Sequence, residues 1–300
     1  MGVHFCVGSP WPKNRPRLNA GVSGHVNYHA EFTALLRLFF DLVQCQSGRS
    51  ISAGEAWLND AQTLSLKLFR HLVAMQALAK ESIIALNERQ SFSYVDHGSV
   101  KVLARAALET YLVFYYIFGS SDQSLCKFRY LTWKLGGLVD RQRFHVSTAE
   151  NKKVLARERD RIMELRQEIA SASQLHAFTP NQQKQILGGK WKVGHGWADL
   201  GDQAGFHKEY FNTIYSYLCS YSHSSYISAL QVGEAQNVED QRILAEAMMG
   251  IGLVLMAHFA FSYSSLFPSA TKVLDSNASA KLIAERWRFG KDEMAEIYVR

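Results

Sequence analysis

The chain has 300 residues, 47% of them hydrophobic and 20% charged, with a formal net charge of +6. That length and balance suit one large domain or two small ones and exclude a disordered or fibrous chain. The positive excess is mild, compatible with an anionic partner without demanding one.

Residues 1–27 carry Lys13, Arg15 and Arg17 and no acid. They read as a basic, flexible N-terminal segment, or else as an arm for nucleic acid. The opening MGVHFCVGSPWP lacks the charged-then-apolar order of a signal peptide, and Cys6 stands where a myristoylation pattern wants Ser or Thr. Cys6, Cys45, Cys126 and Cys219 form neither a C-x-x-C nor a zinc-spaced set. They read as reduced thiols in a cytoplasmic protein.

From there the chain is poor in Pro and rich in helical periodicity. EFTALLRLFFDLV opens a first short helix. Leu58, Ala61, Leu64, Leu68, Leu72 and Met75 recur at helical spacing and predict one long helix over 54–88. FSYVDHGS breaks it, and Asp96 or Ser99 caps the next helix, SVKVLARAALETYLVFYYIFG, which Gly119 stops. That helix is apolar nearly all round and should be central. A fourth helix is predicted over 121–143 and a charged fifth over 148–171, the latter with a narrow apolar seam suited to an arm lying on the body. Residues 176–205 read as irregular, with one helical turn at most, a candidate lid or partner surface. Further helices are predicted over 206–230, 239–267 and 276–288. No charged residue occurs between Glu246 and Lys272. This run is long enough to span a bilayer, but a buried central helix is the preferred reading. The expected fold is an all-α, single-domain helical bundle of about seven main helices over residues 28–290, followed by a tail at 291–300.

Arg105 and Glu109 stand four apart in the apolar third helix, so they share one face. A buried charge is costly unless it is paired. The couple is therefore either an internal ion pair that fixes packing or part of a site. Later, the stretch YSYLCSYSHSS puts Tyr215, Cys219 and His223 at four-residue spacing, with Ser216 and Ser220 beside them. These lie on one helical face with His223 at its end. In the fourth helix Lys127, Lys134 and Arg141 are seven apart, with Arg129 and Arg143 nearby and Tyr130 and Trp133 interleaved. Such a stripe suits a phosphate backbone, and equally a solvated face. No phosphate-binding loop, dinucleotide fingerprint, zinc motif or calcium loop is present, so no cofactor or metal is expected.

Arg105-x-x-x-Glu109 in an apolar helix followed by Tyr215-x-x-Leu218-Cys219-x-x-x-His223 resembles an uncharacterised bacterial helical family. Its members carry an aRaalE helix and a Y-x-x-L-S-x-x-x-H helix. The resemblance runs from about Leu58 to Leu266. The chain departs from it at Cys219, where the pattern has Ser; a thiol is a weaker hydrogen-bonding group. Such proteins look distantly like HEPN helical bundles, many of which serve antiviral or toxin–antitoxin systems, some as metal-independent ribonucleases. Their reactive residues are an Arg and a His, usually as R-x(4–6)-H on one helix. Here Ser216, Tyr217 and Leu218 occupy those positions before His223 instead, so an Arg must come from elsewhere, such as Arg105. RQRFH, with Arg141 four before His145, falls one residue short of the shortest spacing.

The resemblance implies a nucleic-acid-directed effector of bacterial defence. His223 would be general acid/base, Arg105 would steady a phosphate, Glu109 would orient Arg105, and Tyr215, Cys219 and Ser220 would line the pocket. Lys127, Arg129, Lys134 and Arg141 would run along the nucleic acid. The expected partners are RNA or another nucleic acid, a protein of the same system, and a second copy of the chain; a membrane is not favoured. The alternative is a non-catalytic binding or scaffold protein in which the same network is structural.

Overall fold

The computed structural model describes residues 27–298, so all but one residue of the expected basic N-terminal segment lie outside the described part. Helix α1 (Tyr28–Gln44) starts where the Asn27 carboxamide accepts from the Ala30 amide at 3.0 Å, and it buries Phe32, Leu35, Phe39 and Leu42 on one face. A 3-10 turn leads into α2 (Asn59–Leu78), which buries Ala61, Leu64, Leu68, Leu72 and Met75. The long helix predicted over 54–88 ends there. The chain instead makes an antiparallel hairpin, β1 (Ser82–Asn87) and β2 (Gln90–Tyr94), with Ser82 opposite Tyr94. The Asn87 side chain closes its turn by accepting from the Arg89 amide at 2.9 Å and donating to Gln90 at 2.8 Å. Ile83, Ile84 and Phe92 are β-formers, but Ile83–Leu86 is a continuous apolar run, and periodicity does not separate strand from helix over so short a run.

Helix α3 (His97–Phe118) is capped by Asp96 and closed at Gly119, as its sequence predicts. It lies at the centre, packed on α2, α10 and α8. Helices α4 (Gln123–Arg141) and α5 (Ala149–Ala170) form a paired arm. The segment expected to be irregular holds a 3-10 turn and two short helices, α6 (Pro180–Leu187) and α7 (Trp197–Gln203). Thr179 and Gln182 make a capping box that starts α6. The helix predicted over 206–230 is broken into α8 (Lys208–Ser222) and α9 (Tyr226–Glu234). Helix α10 (Val238–Leu266) is long and apolar enough to cross a membrane. Here it is a central rod, 78% buried over its most apolar stretch, packed against α1, α3 and α12.

Helices α11 (Pro268–Ser276) and α12 (Ala278–Trp287) meet at Asn277, whose side chain caps the second by accepting from the Ala280 amide. The expected tail is also ordered. Residues Lys291–Tyr298 form α13, whose Met294 is buried against α8 and accepts from the His207 amide. The described residues are 76% helical with one two-stranded sheet, an all-α architecture. The helices outnumber the expected set because short polar breaks at 223–225 and 277, and the turns inside 176–205, escape a periodicity reading.

One close approach fixes how α10 sits. A Cβ at Gly252 would come 2.5 Å from the Phe32 ring of α1, so only Gly permits this contact. Beside it Phe39 of α1 stacks on Phe259 of α10 at 3.9 Å. Overpacking such a contact costs about 1–3 kcal/mol, more than the few tenths of a kcal/mol by which Val exceeds Gly in helix propensity. Gly252→Val is therefore expected to lower the unfolding free energy by about 1–3 kcal/mol in urea titration.

Candidate functional site

Helix α3 places Lys101, Arg105 and Glu109 one turn apart, and α8 crosses that face with Tyr221, Tyr217 and Tyr215, ending at His223. The Arg105 Nε donates to Glu109 Oε1 at 2.9 Å. Its Nη1 lies 3.3 Å from His223 Nε2, and its Nη2 donates to the Tyr215 hydroxyl at 3.5 Å. Tyr215 in turn donates to Glu109 Oε1 at 2.7 Å. Two segments more than a hundred residues apart thus form one closed network. A guanidinium only donates, so the imidazole presents its lone pair at Nε2 to Arg105. The Arg105 and Glu109 side chains are 20% and 26% exposed, while His223 is open to solvent. Burial opposes the Arg105 charge, but the Tyr215 bond and the Glu109 carboxylate outweigh it and raise its pKa. Burial and the bond to Glu109 push the Tyr215 hydroxyl well above its ordinary value.

His223 is held by a helix ending. The Ser225 amide donates to the Ser220 carbonyl at 2.9 Å and the Ser224 amide to the Tyr221 carbonyl at 3.4 Å. This is a Schellman motif, with Ser224 in the left-handed region at φ 50°. A non-Gly residue there is strained, which marks the turn that aims His223 back at Arg105. At the other end of α8, a Cβ at Gly201 of α7 would come 2.7 Å from the Phe211 ring. Phe211 stacks on Tyr215 at 5.5 Å, so this approach seats the tyrosine over Glu109.

The sequence reading missed Lys101 with its neighbour His97, Gln231 and Lys192 in this region. Lys101 is fully buried. It donates to His97 Nδ1 at 3.1 Å and to the Tyr221 hydroxyl at 2.7 Å, and its amine lies 4.1 Å from the Tyr221 ring centre. Gln231 of α9 completes the set by accepting from Tyr221 at 2.5 Å and Tyr217 at 3.0 Å. Burial pushes the Lys101 amine down to about 7; burial, then the Lys101 charge, lowers His97 to about 4. Lys192, from the connection between α6 and α7, lies 3.7 Å from the Trp197 ring centre and within electrostatic reach of Glu109. The signal for Lys101 was present, since it precedes Arg105 by one helical turn. None marked Lys192.

The other expected residues divide. Cys219 is a free thiol within electrostatic reach of Arg105 and Tyr215. Ser220 donates its hydroxyl to the Tyr217 carbonyl of its own helix at 2.7 Å, and none of the bonds between Arg105, Glu109, Tyr215 and His223 runs through it. The basic stripe of α4 is not an open track either. Lys127 pairs with Glu168 at 3.4 Å and Arg141 with Glu158, both on α5. Arg129 turns inward to the Tyr116 carbonyl at 2.8 Å, and Lys134 donates to the Tyr130 hydroxyl at 3.0 Å. The seven-residue spacing is the seam of the α4–α5 arm. Among the described residues no three His, Cys, Asp or Glu side chains gather as a metal site would require.

Two measurements check this geometry. Ser224→Gly relieves the left-handed strain and is expected to raise stability by about 1 kcal/mol. Lys101 titrates near 7 when folded and near 10.5 when unfolded. Between those values the unfolded chain binds more protons, so stability rises with pH. Lys101→Met is expected to remove that rise between pH 7 and 10 in denaturant titrations and to stabilise the protein most below pH 7.

No curated protein and no solved structure matches the chain significantly. A family model described as a family of unknown function, DUF5677, matches residues 67–241, which include α3 and α8 entire. That span exceeds half of the chain and holds every residue of the Arg105–His223 network, and the protein belongs to this family.

Proposed function

We propose that this protein is a nucleic-acid-directed effector of a bacterial antiviral or toxin-type system and that it cleaves RNA without a metal. The Arg105–His223 contact of 3.3 Å carries the reading. A distant likeness to HEPN bundles belongs to the same proposal. There the Arg and His share a helix; here α3 would supply the first and α8 the second.

The chemistry follows from the two groups. His223 Nε2 takes the proton of a ribose 2′-hydroxyl while the 2′-oxygen attacks the adjacent phosphorus. The P–O5′ bond breaks, a 2′,3′-cyclic phosphate forms, and the imidazolium returns its proton to the departing 5′-oxygen. Arg105 transfers its Nη donors from the imidazole to the phosphate oxygens, where negative charge grows. Glu109 keeps the guanidinium in plane through Nε, a positioning role.

One observation favours the second, non-catalytic reading. Glu109 and Tyr215 bond each other as well as Arg105, so the same network ties α3 to α8.

A fluorogenic RNA substrate and thermal melts separate the two. On the catalytic reading, His223→Ala melts like the parent and loses cleavage by about a hundredfold or more; Arg105→Lys, which keeps the charge but not the fork, loses most of it. A parent that never cleaves RNA, together with an Arg105→Ala form destabilised by about 3 kcal/mol, leaves only the scaffold.

A further inference from the structure

The connection between α6 and α7 brings a second cation to the site. Lys192 sits on the Trp197 ring at 3.7 Å, and Trp197 lies 6.2 Å from Tyr215, the residue that bonds Glu109. Trp191 packs on Tyr116 at 5.6 Å and on Trp197 at 6.4 Å. The backbone is fixed from α4: a Cβ at Gly136 would come 2.7 Å from the Gly189 carbonyl, and Gly189 itself, at φ 99°, rests on Val139. The platform is thus seated on the body rather than hung over it.

Its charge is unbalanced. Arg105 and Lys192 face one carboxylate, Glu109, and among the described residues Lys192 has no ion-pair partner. A half-buried ammonium resting on aromatic faces keeps a cation–π contact but forgoes hydrogen bonds that an anion would restore. Indole rings beside a cation are also the means by which single strands are held, a base on the ring and the phosphate on the charge.

We propose that Lys192 and Trp197 form a second nucleotide subsite, and that the ligand is single-stranded RNA of at least two nucleotides. Lys192 leaves the Trp197 face for the phosphate next to the one at Arg105, and the freed indole face takes an unpaired base. Duplex RNA cannot offer that base. This rests on reading the Arg105–His223 pair as an RNA site.

The test is binding, in the His223→Ala background, of a short labelled single strand by anisotropy across a salt series. The expected result is a log–log salt slope about 0.7 shallower in Lys192→Gln, the change for one fewer neutralised phosphate. Trp197→Leu is expected to weaken binding about tenfold or more, and Trp197→Phe to retain most of it. The same strand as a duplex should bind more weakly and ignore both positions. Tight single-strand binding with slope and affinity unchanged in Lys192→Gln and Trp197→Leu overturns the subsite while leaving the RNA reading standing. No binding by the His223→Ala protein or the parent at low salt overturns both.

Discussion

Three charges in the middle of the molecule set the terms for everything around them. Lys101, Arg105 and Glu109 lie one turn apart on α3, a helix otherwise walled by apolar neighbours. Charge in such a place must be paired or hydrogen-bonded, or it unfolds the core. Within α3, Arg105 pairs with Glu109 and Lys101 reaches only the imidazole of His97. The rest is answered by α8, mostly with tyrosines rather than with acids. Tyr215, Tyr217 and Tyr221 each bring an apolar ring to the interface and a hydroxyl to the charges or to Gln231. This accounts for the composition of YSYLCSYSHSS: a helix face that is hydrophobic in its body and polar at its tips.

The same face grades from dry to wet. Lys101 is sealed, Arg105 and Glu109 are partly open, and His223 stands in solvent beyond the last turn. The sealed end specifies how α3 and α8 register. At the open end a ligand can reach both a guanidinium and an imidazole. Neither end is self-supporting. Gly201 lets α7 approach Phe211, Phe211 seats Tyr215, and the left-handed Ser224 turns the chain so that His223 comes back over α3. Among the described residues Ser224 is the one non-Gly residue with positive φ, and it stands at the open end of this network.

Much of this was legible in the sequence. A charged pair at i,i+4 inside an apolar helix has few places to go, so α3 announced both its centrality and its need for a partner. Asp96, one of two cap candidates with Ser99, and Gly119 marked its ends by capping chemistry alone. What stayed hidden had one physical cause: spacing assigns a residue to a face but does not say what covers that face. Lys127, Lys134 and Arg141 share a stripe, yet Glu168 and Glu158 of α5 occupy its ends. Lys192 lies in a turn with no periodicity, and only the packing of Gly189 on α4 brings it to Glu109. The hairpin after α2 stayed hidden for a related reason, since the continuous apolar run Ile83–Leu86 carries neither period and the deciding contacts are those of the Asn87 turn.

Whether the network is a site or a strut turns on which of its bonds can be exchanged. They are not equivalent. The Nε bond to Glu109 at 2.9 Å and the Tyr215–Glu109 bond at 2.7 Å are short and charge-assisted. The Nη contacts, to His223 at 3.3 Å and Tyr215 at 3.5 Å, are long and neither goes to a carboxylate. A phosphate offers both Nη groups a charged, bidentate acceptor in their place and leaves the Nε bond intact. The guanidinium is thus anchored on one edge and weakly held on the other, and the weak edge is the one nearest solvent. On the catalytic reading proposed above, that asymmetry suits an anion-binding arginine, with one edge fixed for direction and the other available for exchange.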